Sequence, residues 1–115
     1  MMPKPAEIWM DFALDDLDGG EVLFTGGKFN LVCYHAQQAA EKSLKGFMIH
    51  NNTPHPKTHD LIDLNKLCTK INQDFSLLKD KLTTLNQFYR RSRLKTHGLV
   101  PWDESRPPEG WQTPR

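Results

Sequence analysis

A chain of 115 residues is long enough to bury one hydrophobic core and too short for two, so its length predicts a single domain. The formal net charge of +1 gives no overall attraction to nucleic acid or to an acidic surface. The two cysteines lie outside any CxxC pair, so the sequence shows no disulfide framework and predicts a reducing compartment. No apolar run reaches membrane-spanning length. The N-terminus also lacks a signal-peptide pattern, so we expect a cytoplasmic location.

The first predicted helix runs from about Pro5 to Phe24 and begins with a proline, whose missing N–H costs nothing in a first turn. Gly19 and Gly20 weaken it, since each glycine costs ~1 kcal/mol relative to alanine inside a helix, and they allow a break or kink. The segment is acidic, and its carboxylates are Glu7, Asp11, Asp15, Asp16, Asp18 and Glu21.

The second predicted helix, about Lys28 to Asn51, has the clearest pattern of the chain. Its apolar residues repeat at the three–four spacing of a core face, and they are Phe29, Cys33, Ala36, Ala40, Leu44 and Phe47. The small side chains of Ala36, Ala39 and Ala40 would let a neighbouring helix approach closely. Pro54 and Pro56 then prevent the helix from continuing.

The third predicted helix runs from about His59 to Asn72, with Thr58 as its N-cap and Asp60 in its first turn. The fourth begins after Asp74 and reaches about Arg93. The interior is predicted to hold Phe29, Ala36, Ala40, Leu44, Phe47, Leu61, Leu64, Phe75, Leu78, Leu82 and Leu85. No segment alternates like a strand, so the pattern predicts an all-α, up-and-down antiparallel helical bundle of four helices over residues 1–97.

The amino-acid composition of the chain changes at Gly98. Residues 98–115 contain four prolines and no apolar period. We therefore expect an irregular, proline-rich C-terminal tail rather than a packed helix.

Two neighbouring motifs carry a resemblance to a known family. The first is the helical run from His35 to Lys42, His-Ala-Gln-Gln-Ala-Ala-Glu-Lys, and the second is Pro56-Lys57-Thr58-His59-Asp60-Leu61. Over roughly Trp9 to Arg93 the chain resembles the HEPN domain family, small helical bundles often paired with minimal nucleotidyltransferases. The resemblance implies a HEPN-like bundle, and it implies such a nucleotidyltransferase as a partner.

The chain departs from this family after Arg93. Family members continue into a Pro-Gly turn and a last helix, whereas Leu94-Lys95-Thr96-His97 does not match, so we expect the family's last helix to be missing. A reading-frame slip near Leu94 and an ordinary divergent C-terminus both account for this. Either leaves an apolar groove uncovered, which predicts a homodimer or a complex with a partner.

A candidate catalytic pair lies at the end of the fourth helix. Ribonuclease members of the family carry an Arg followed after four to six residues by a His, and Arg91 and His97 fit that spacing, as does Arg90 with His97. The His would act as base on a ribose 2′-hydroxyl while the Arg holds the scissile phosphate, with no metal. The alternative is a basic helix end that complements the helix dipole.

Further binding candidates lie on the second helix, where His35, Gln38 and Lys42 should share one flank. This flank could face a dimer partner or a ligand. The alternative is a buried His35 that hydrogen-bonds within the bundle, to Glu41 or to a backbone group.

Other candidates lie near the ends of the third and fourth helices. Lys57, beside the start of the third helix, could receive a phosphate, whereas His59 is expected to have a structural role there. Arg90 and Arg93 belong to a basic cluster that could serve an anionic ligand or an acidic protein surface. The histidines near the two prolines lack fixed ligand geometry, so we expect no metal site and no cofactor.

Three hypotheses on function follow and stay open. The first is a component of a HEPN/minimal nucleotidyltransferase pair of the toxin–antitoxin type. The second is a metal-independent endoribonuclease that uses Arg91 and His97. The third is a non-catalytic nucleotide-binding or dimerisation module, including a truncated or frameshifted product.

Overall fold

The structure is a computed structural model that describes residues 4–96 and, within its last helix, the side chains as far as residue 87. The helices are α1 (Pro5–Thr25), α2 (Phe29–His50), α3 (Leu61–Ile71) and α4 (Lys79–Thr96), with a 3-10 segment at Gln73–Leu78. The described residues contain no strand, so the prediction of an all-α helical bundle is confirmed. The predicted tail at 98–115 lies outside these residues.

Helix α1 is continuous through Gly19 and Gly20, so the break that the glycines allow does not occur. The reason is packing, because α1 lies along α2 and tertiary contact outweighs the low helix propensity of glycine. The two helices lie close together at Gly46 of α2, where an added Cβ would lie 3.2 Å from the Cβ of Trp9. The two helices thus form one tightly packed pair.

The turn between α1 and α2 depends on one glycine of unusual conformation. Gly27 has a φ of +75°, in the left-handed region that side chains rarely adopt. Its neighbour Gly26 has a φ of −81° and is helical. The short turn returns α2 antiparallel to α1, with the backbone N–H of Lys28 donating to the carbonyl of Leu23 at 2.9 Å.

These two glycines offer a matched pair of substitutions. Gly27→Ala should lower the free energy of unfolding by about 1 kcal/mol, because alanine is strained at positive φ. Gly26→Ala should cost no more than a few tenths of a kcal/mol, since an added Cβ there meets only ordinary contacts, the nearest at 3.6 Å. Urea denaturation of both variants measures the difference, and equal losses would contradict this account of the turn.

Helix α3 starts later than predicted, at Leu61, and its N-cap is Asp60 rather than Thr58. The Asp60 carboxylate accepts hydrogen bonds from the backbone of Ile62 at 2.8 Å and Asp63 at 3.4 Å. The Thr58 hydroxyl instead accepts from the backbone N–H of Asp60 at 3.1 Å. The carboxylate occupies the helix end because it reaches two free N–H groups, whereas the hydroxyl closes the turn before it.

The fourth helix also departs from its predicted bounds. A 3-10 segment fills the stretch after Asn72, whose side chain accepts from the backbone N–H of Asp74 at 2.9 Å. Helix α4 then begins at Lys79 and extends to Thr96, beyond the predicted end at Arg93. The local Asn72 cap favours the tight turn, which delays the α-helix by more than one turn.

The core lies where α2, α3 and α4 meet. Its buried cluster consists of Leu44, Met48, Leu61, Leu64, Cys68 and Leu82. The predicted interior is largely confirmed, since Ala40, Phe47, Phe75 and Leu85 pack against this cluster while Phe29 and Ala36 are half-buried. Both cysteines, Cys33 and Cys68, are buried thiols, as expected. Leu78 was wrongly placed inside: it is 40% exposed, at the rim of a groove that no described helix covers.

Candidate functional site

Helix α2 holds one cluster of charged side chains at the protein surface, which we call the Asp16 cluster. Asp16 on α1 accepts a hydrogen bond from His35 Nδ1 at 2.8 Å and another from Lys42 Nζ at 2.5 Å. The side chains of His35 and Lys42 are 31% and 25% exposed, and that of Asp16 is 11% exposed. One carboxylate on α1 therefore holds an imidazole and an ammonium group of α2 at a partly exposed position.

The electrostatics of this cluster keep Asp16 ionised. Burial raises the pKa of the Asp16 carboxyl, but hydrogen bonds from Lys42 and His35, with their charges, outweigh the burial and leave its pKa below 3.8. Because the carboxylate can only accept, His35 Nδ1 carries the proton of this hydrogen bond. Asp16 therefore fixes the orientation of the His35 ring.

Aromatic rings surround the Asp16 cluster. The Lys42 ammonium lies 5.9 Å from the centroid of the Phe12 ring, and the Tyr34 ring contacts His35 edge to face at 5.2 Å between centroids. Phe12 is 52% exposed and Tyr34 is 39% exposed. A charged centre beside exposed aromatic side chains is the composition typical of protein-binding surfaces.

The lowered pKa of Asp16 predicts a pH-dependent effect of Asp16→Asn. The folded-state pKa lies below the unfolded value, so Asp16 stabilises the protein above about pH 4, and this contribution is lost as the pH falls through the folded-state pKa. The gap in unfolding free energy between wild type and variant should therefore be largest at pH 7 and shrink toward pH 2. Urea denaturation at several pH values in this range measures the gap. A gap that does not change with pH would contradict the lowered pKa of Asp16 in the folded state.

A second network, the Glu41 cluster, is buried on the neighbouring face of α2. Glu41 accepts from Lys45 Nζ at 3.1 Å and from His59 Nδ1 at 2.9 Å. Gln37 donates to the carbonyl of His59 at 2.8 Å and lies 3.4 Å from the Glu41 carboxylate. The side chains of Glu41 and Lys45 are only 6% and 7% exposed, whereas His59 is 69% exposed.

The position of the Glu41 cluster indicates a structural role. Its hydrogen bonds join α2 to the segment that precedes α3, so they fix where α3 starts. His59 lies ahead of α3 rather than in its first turn. Gln37 was not singled out from the sequence, although Gln37, Glu41 and Lys45 follow the i, i+4 spacing of side chains that interact along a helix.

The predicted flank of His35, Gln38 and Lys42 is divided between the two clusters. His35 and Lys42 meet on Asp16, whereas Gln38 is half-buried and donates to the side chain of Gln37 at 2.8 Å. His35 does hydrogen-bond within the bundle, as the structural alternative expects, but its partner is Asp16 rather than Glu41, which accepts from Lys45 and His59. No pattern in the sequence singles out Asp16 among the acidic residues of α1.

The remaining candidates are not assembled into either cluster. Lys57 is exposed, and a phosphate beside it would compete with the Asp60 carboxylate for the N–H groups of α3. Arg90, Arg91 and Arg93 belong to α4, but their side chains are not among those described. His97 lies outside the described residues, so the catalytic pair remains a prediction.

The described part of the chain, residues 4–96, offers neither a metal site nor a membrane-spanning helix. No group of three or more His, Cys, Asp or Glu side chains in this range could hold a metal ion. None of the helices in the same range is both long and apolar enough to cross a membrane.

Comparison with known proteins gives one match. The family model described as "HEPN domain" matches residues 6–99, which include nearly all of α1 and the whole of α2, α3 and α4. No curated protein and no solved structure matches the chain.

Proposed function

Since the chain belongs to the HEPN domain family, we propose that it is the HEPN component of a two-protein pair, of the toxin–antitoxin type, whose other member is a minimal nucleotidyltransferase. The match over residues 6–99 supports the family half of this proposal. The observation that carries the pairing is the Asp16 cluster: His35 and Lys42, two residues of the motif that resembles nucleotidyltransferase-paired members, are held together within reach of a partner.

The surface around this cluster suits a protein partner better than a small anion. Asp16 cancels one positive charge at the centre of the cluster, so an isolated phosphate would gain little there. The exposed rings of Phe12 and Tyr34 instead provide apolar area beside fixed hydrogen-bonding groups. That combination gives a partner protein both buried area and orientation.

Co-purification tests the pair. If a minimal nucleotidyltransferase gene lies beside the gene for this chain, as the proposal requires, the two are co-expressed and the tagged full chain should retain that protein. Lys42→Ala should weaken retention at least about tenfold, because Lys42 both orients Asp16 and packs on Phe12. Lys66→Ala, a change of the same kind on the exposed face of α3, is the matched control and should leave retention unchanged. Lack of such a neighbouring gene, or equal retention by both variants, would overturn the proposal.

A metal-independent endoribonuclease is the second candidate. The observation that favours it is the length of α4, which extends to Thr96 and so places Arg91 in a helix that leads directly to His97. In this proposal the neutral His97 accepts the proton of a ribose 2′-hydroxyl, and Arg91 holds the phosphate.

We expect the isolated chain not to cleave RNA, because Leu94-Lys95-Thr96-His97 does not follow the motif expected after Arg93, although the family match itself runs to residue 99. A fluorescent RNA incubated with the purified chain and a chelator measures this. If the second candidate is right, cleavage persists in chelator, rises through about pH 6.5 and disappears in Arg91→Ala and in His97→Ala. That outcome would contradict the expectation of no cleavage. Arg106→Ala is the control, because it removes a positive charge outside the Arg–His pair and should leave any cleavage unchanged.

A further inference from the structure

Three lysine side chains line one pocket between α3 and the start of α4, which we call the lysine pocket. Lys66 and Lys70 lie four residues apart on α3, and so on one face, while Lys79 is the first residue of α4. The pocket has a volume of about 410 Å³, which is within the range of sites that bind small molecules. It lies on different helices from the Asp16 cluster, which belongs to α1 and α2.

The described part of the chain does not neutralise the positive charge of the lysine pocket. The acids nearest along the chain, Asp63 and Asp80, are exposed and are not among the described residues that line it. None of its three lysines forms an ion pair with a described residue, whereas Lys42 is paired with Asp16. Three like charges around one cavity repel each other, so an anion bound between them is favoured.

Two polar residues that line the lysine pocket provide hydrogen-bond acceptors. Asn65 is 5% exposed, and its amide oxygen is buried without a hydrogen-bond partner. The Thr69 hydroxyl donates its proton to the backbone carbonyl of Asn65 at 2.7 Å, so its oxygen is left as an acceptor. A buried acceptor without a donor costs free energy, and a ligand hydroxyl that donates to it removes this cost.

Apolar surface separates the charged groups of the lysine pocket from one another. Ile62 is half-buried and Leu82 is buried, and both line the pocket. The aliphatic stems of the lysines add to this surface. The pocket therefore suits a molecule with an anionic end, hydroxyl groups and a carbon skeleton better than it suits a bare ion.

We propose that the lysine pocket binds a small molecule of the sugar phosphate class. The phosphate lies between Lys66, Lys70 and Lys79, and hydroxyl groups of the sugar donate to Asn65 and Thr69. A phosphate monoester carries a charge of about −1.5 to −2 at pH 7, which three ammonium groups neutralise without a metal ion. This site is independent of the proposed nucleotidyltransferase pair.

The lining favours a sugar phosphate over a nucleotide or a single-stranded RNA. Sites that bind the bases of single strands commonly stack them on aromatic side chains. No Phe, Tyr, Trp or His is among the described residues that line the lysine pocket. The pocket thus provides groups for a phosphate and for hydroxyls, but no ring for a base.

Isothermal titration calorimetry of the full chain tests the proposal, with glucose phosphorylated on its primary hydroxyl as the probe. Wild type should show saturable binding with a dissociation constant below about 1 mM. Lys66→Ala and Lys70→Ala should each raise this constant at least about fivefold, because each removes a charge that faces the phosphate. Lys81→Ala is the matched control and should have no effect, since Lys81 is exposed on α4 and does not line the pocket. Absence of saturable binding to wild type, or an equal loss in Lys81→Ala, would overturn the proposal.

Inorganic phosphate as a second probe tests the role of the acceptors. Wild type should bind the sugar phosphate at least about fivefold more tightly than inorganic phosphate, and Asn65→Ala should lose this preference. Unchanged binding of inorganic phosphate by Asn65→Ala would show that the variant is folded. Equal affinity of wild type for the two probes means that the acceptors have no part, and the proposal fails. It also fails if adenosine monophosphate or a single-stranded RNA binds more tightly than the sugar phosphate and this binding is lost in Lys70→Ala.

Discussion

Glu41→Ala should lower the free energy of unfolding by about 3–5 kcal/mol, the largest loss we expect from any single substitution outside the apolar core. The side chains of Glu41 and Lys45 are 6% and 7% exposed, so removal of the carboxylate leaves the Lys45 ammonium buried without its counterion. The change also removes the acceptor for His59 and Gln37. This loss is a large share of the total free energy of unfolding of a typical small domain.

Urea denaturation measures this loss, and a second variant isolates its cause. Glu41→Leu combined with Lys45→Met replaces both charges by apolar groups of similar volume, so it should be clearly more stable than Glu41→Ala. If the double variant is as unstable as Glu41→Ala, the loss comes from packing or from the His59 contact rather than from the uncompensated ammonium. Asp63→Ala, a change of an exposed acid in α3, should alter stability by no more than about 0.5 kcal/mol.

Leu64→Ala should cost about 2–5 kcal/mol, because it leaves a cavity in the centre of the core. Leu64 is fully buried and belongs to the cluster that joins α2, α3 and α4. The matched control is Leu77→Ala, since Leu77 is 80% exposed and should contribute within about 0.5 kcal/mol. Thermal or urea unfolding of both variants measures the difference, and similar losses at the two positions would contradict the location of the core.

The sequence was sufficient to predict the fold where periodicity is regular. Helix α2 and the stripe of Leu61, Leu64 and Cys68 on α3 follow three–four spacing, and they form the core. Predictions were wrong where a local cap competes with that spacing. Asn72 favours a 3-10 turn, which delays α4 and leaves Leu78 at the rim of the groove instead of inside.

The candidate site was predictable only in part, for a similar reason. His35 and Lys42 were identified by the motif, but the carboxylate that holds them is on another helix. Spacing along one helix cannot indicate which of several acids on a second helix will face it, so Asp16 could not be chosen from the sequence. Gln37 could have been found from its i, i+4 relation to Glu41.

Helix register also explains why the groove could be expected but not located. The resemblance implied a missing last helix, and the apolar residues of α1 were visible in the sequence. Which of them face α2 depends on the register of the two helices: the Met10 sulfur lies 3.6 Å from where a Cβ at Gly46 would be, whereas Leu14 and Leu17 are 55% and 50% exposed. Only the three-dimensional packing shows that Met10 lines the groove.

The central claim is that the Asp16 cluster is the surface that receives a nucleotidyltransferase partner. Amide hydrogen exchange of the full chain, measured with and without a minimal nucleotidyltransferase of the proposed pair, tests this most directly. The account predicts slower exchange in the parts of α1 and α2 around Phe12, Asp16 and His35 when the partner is present, and unchanged exchange along α3. Protection confined to α3, or no difference anywhere in the chain at a saturating concentration of the partner, would contradict it.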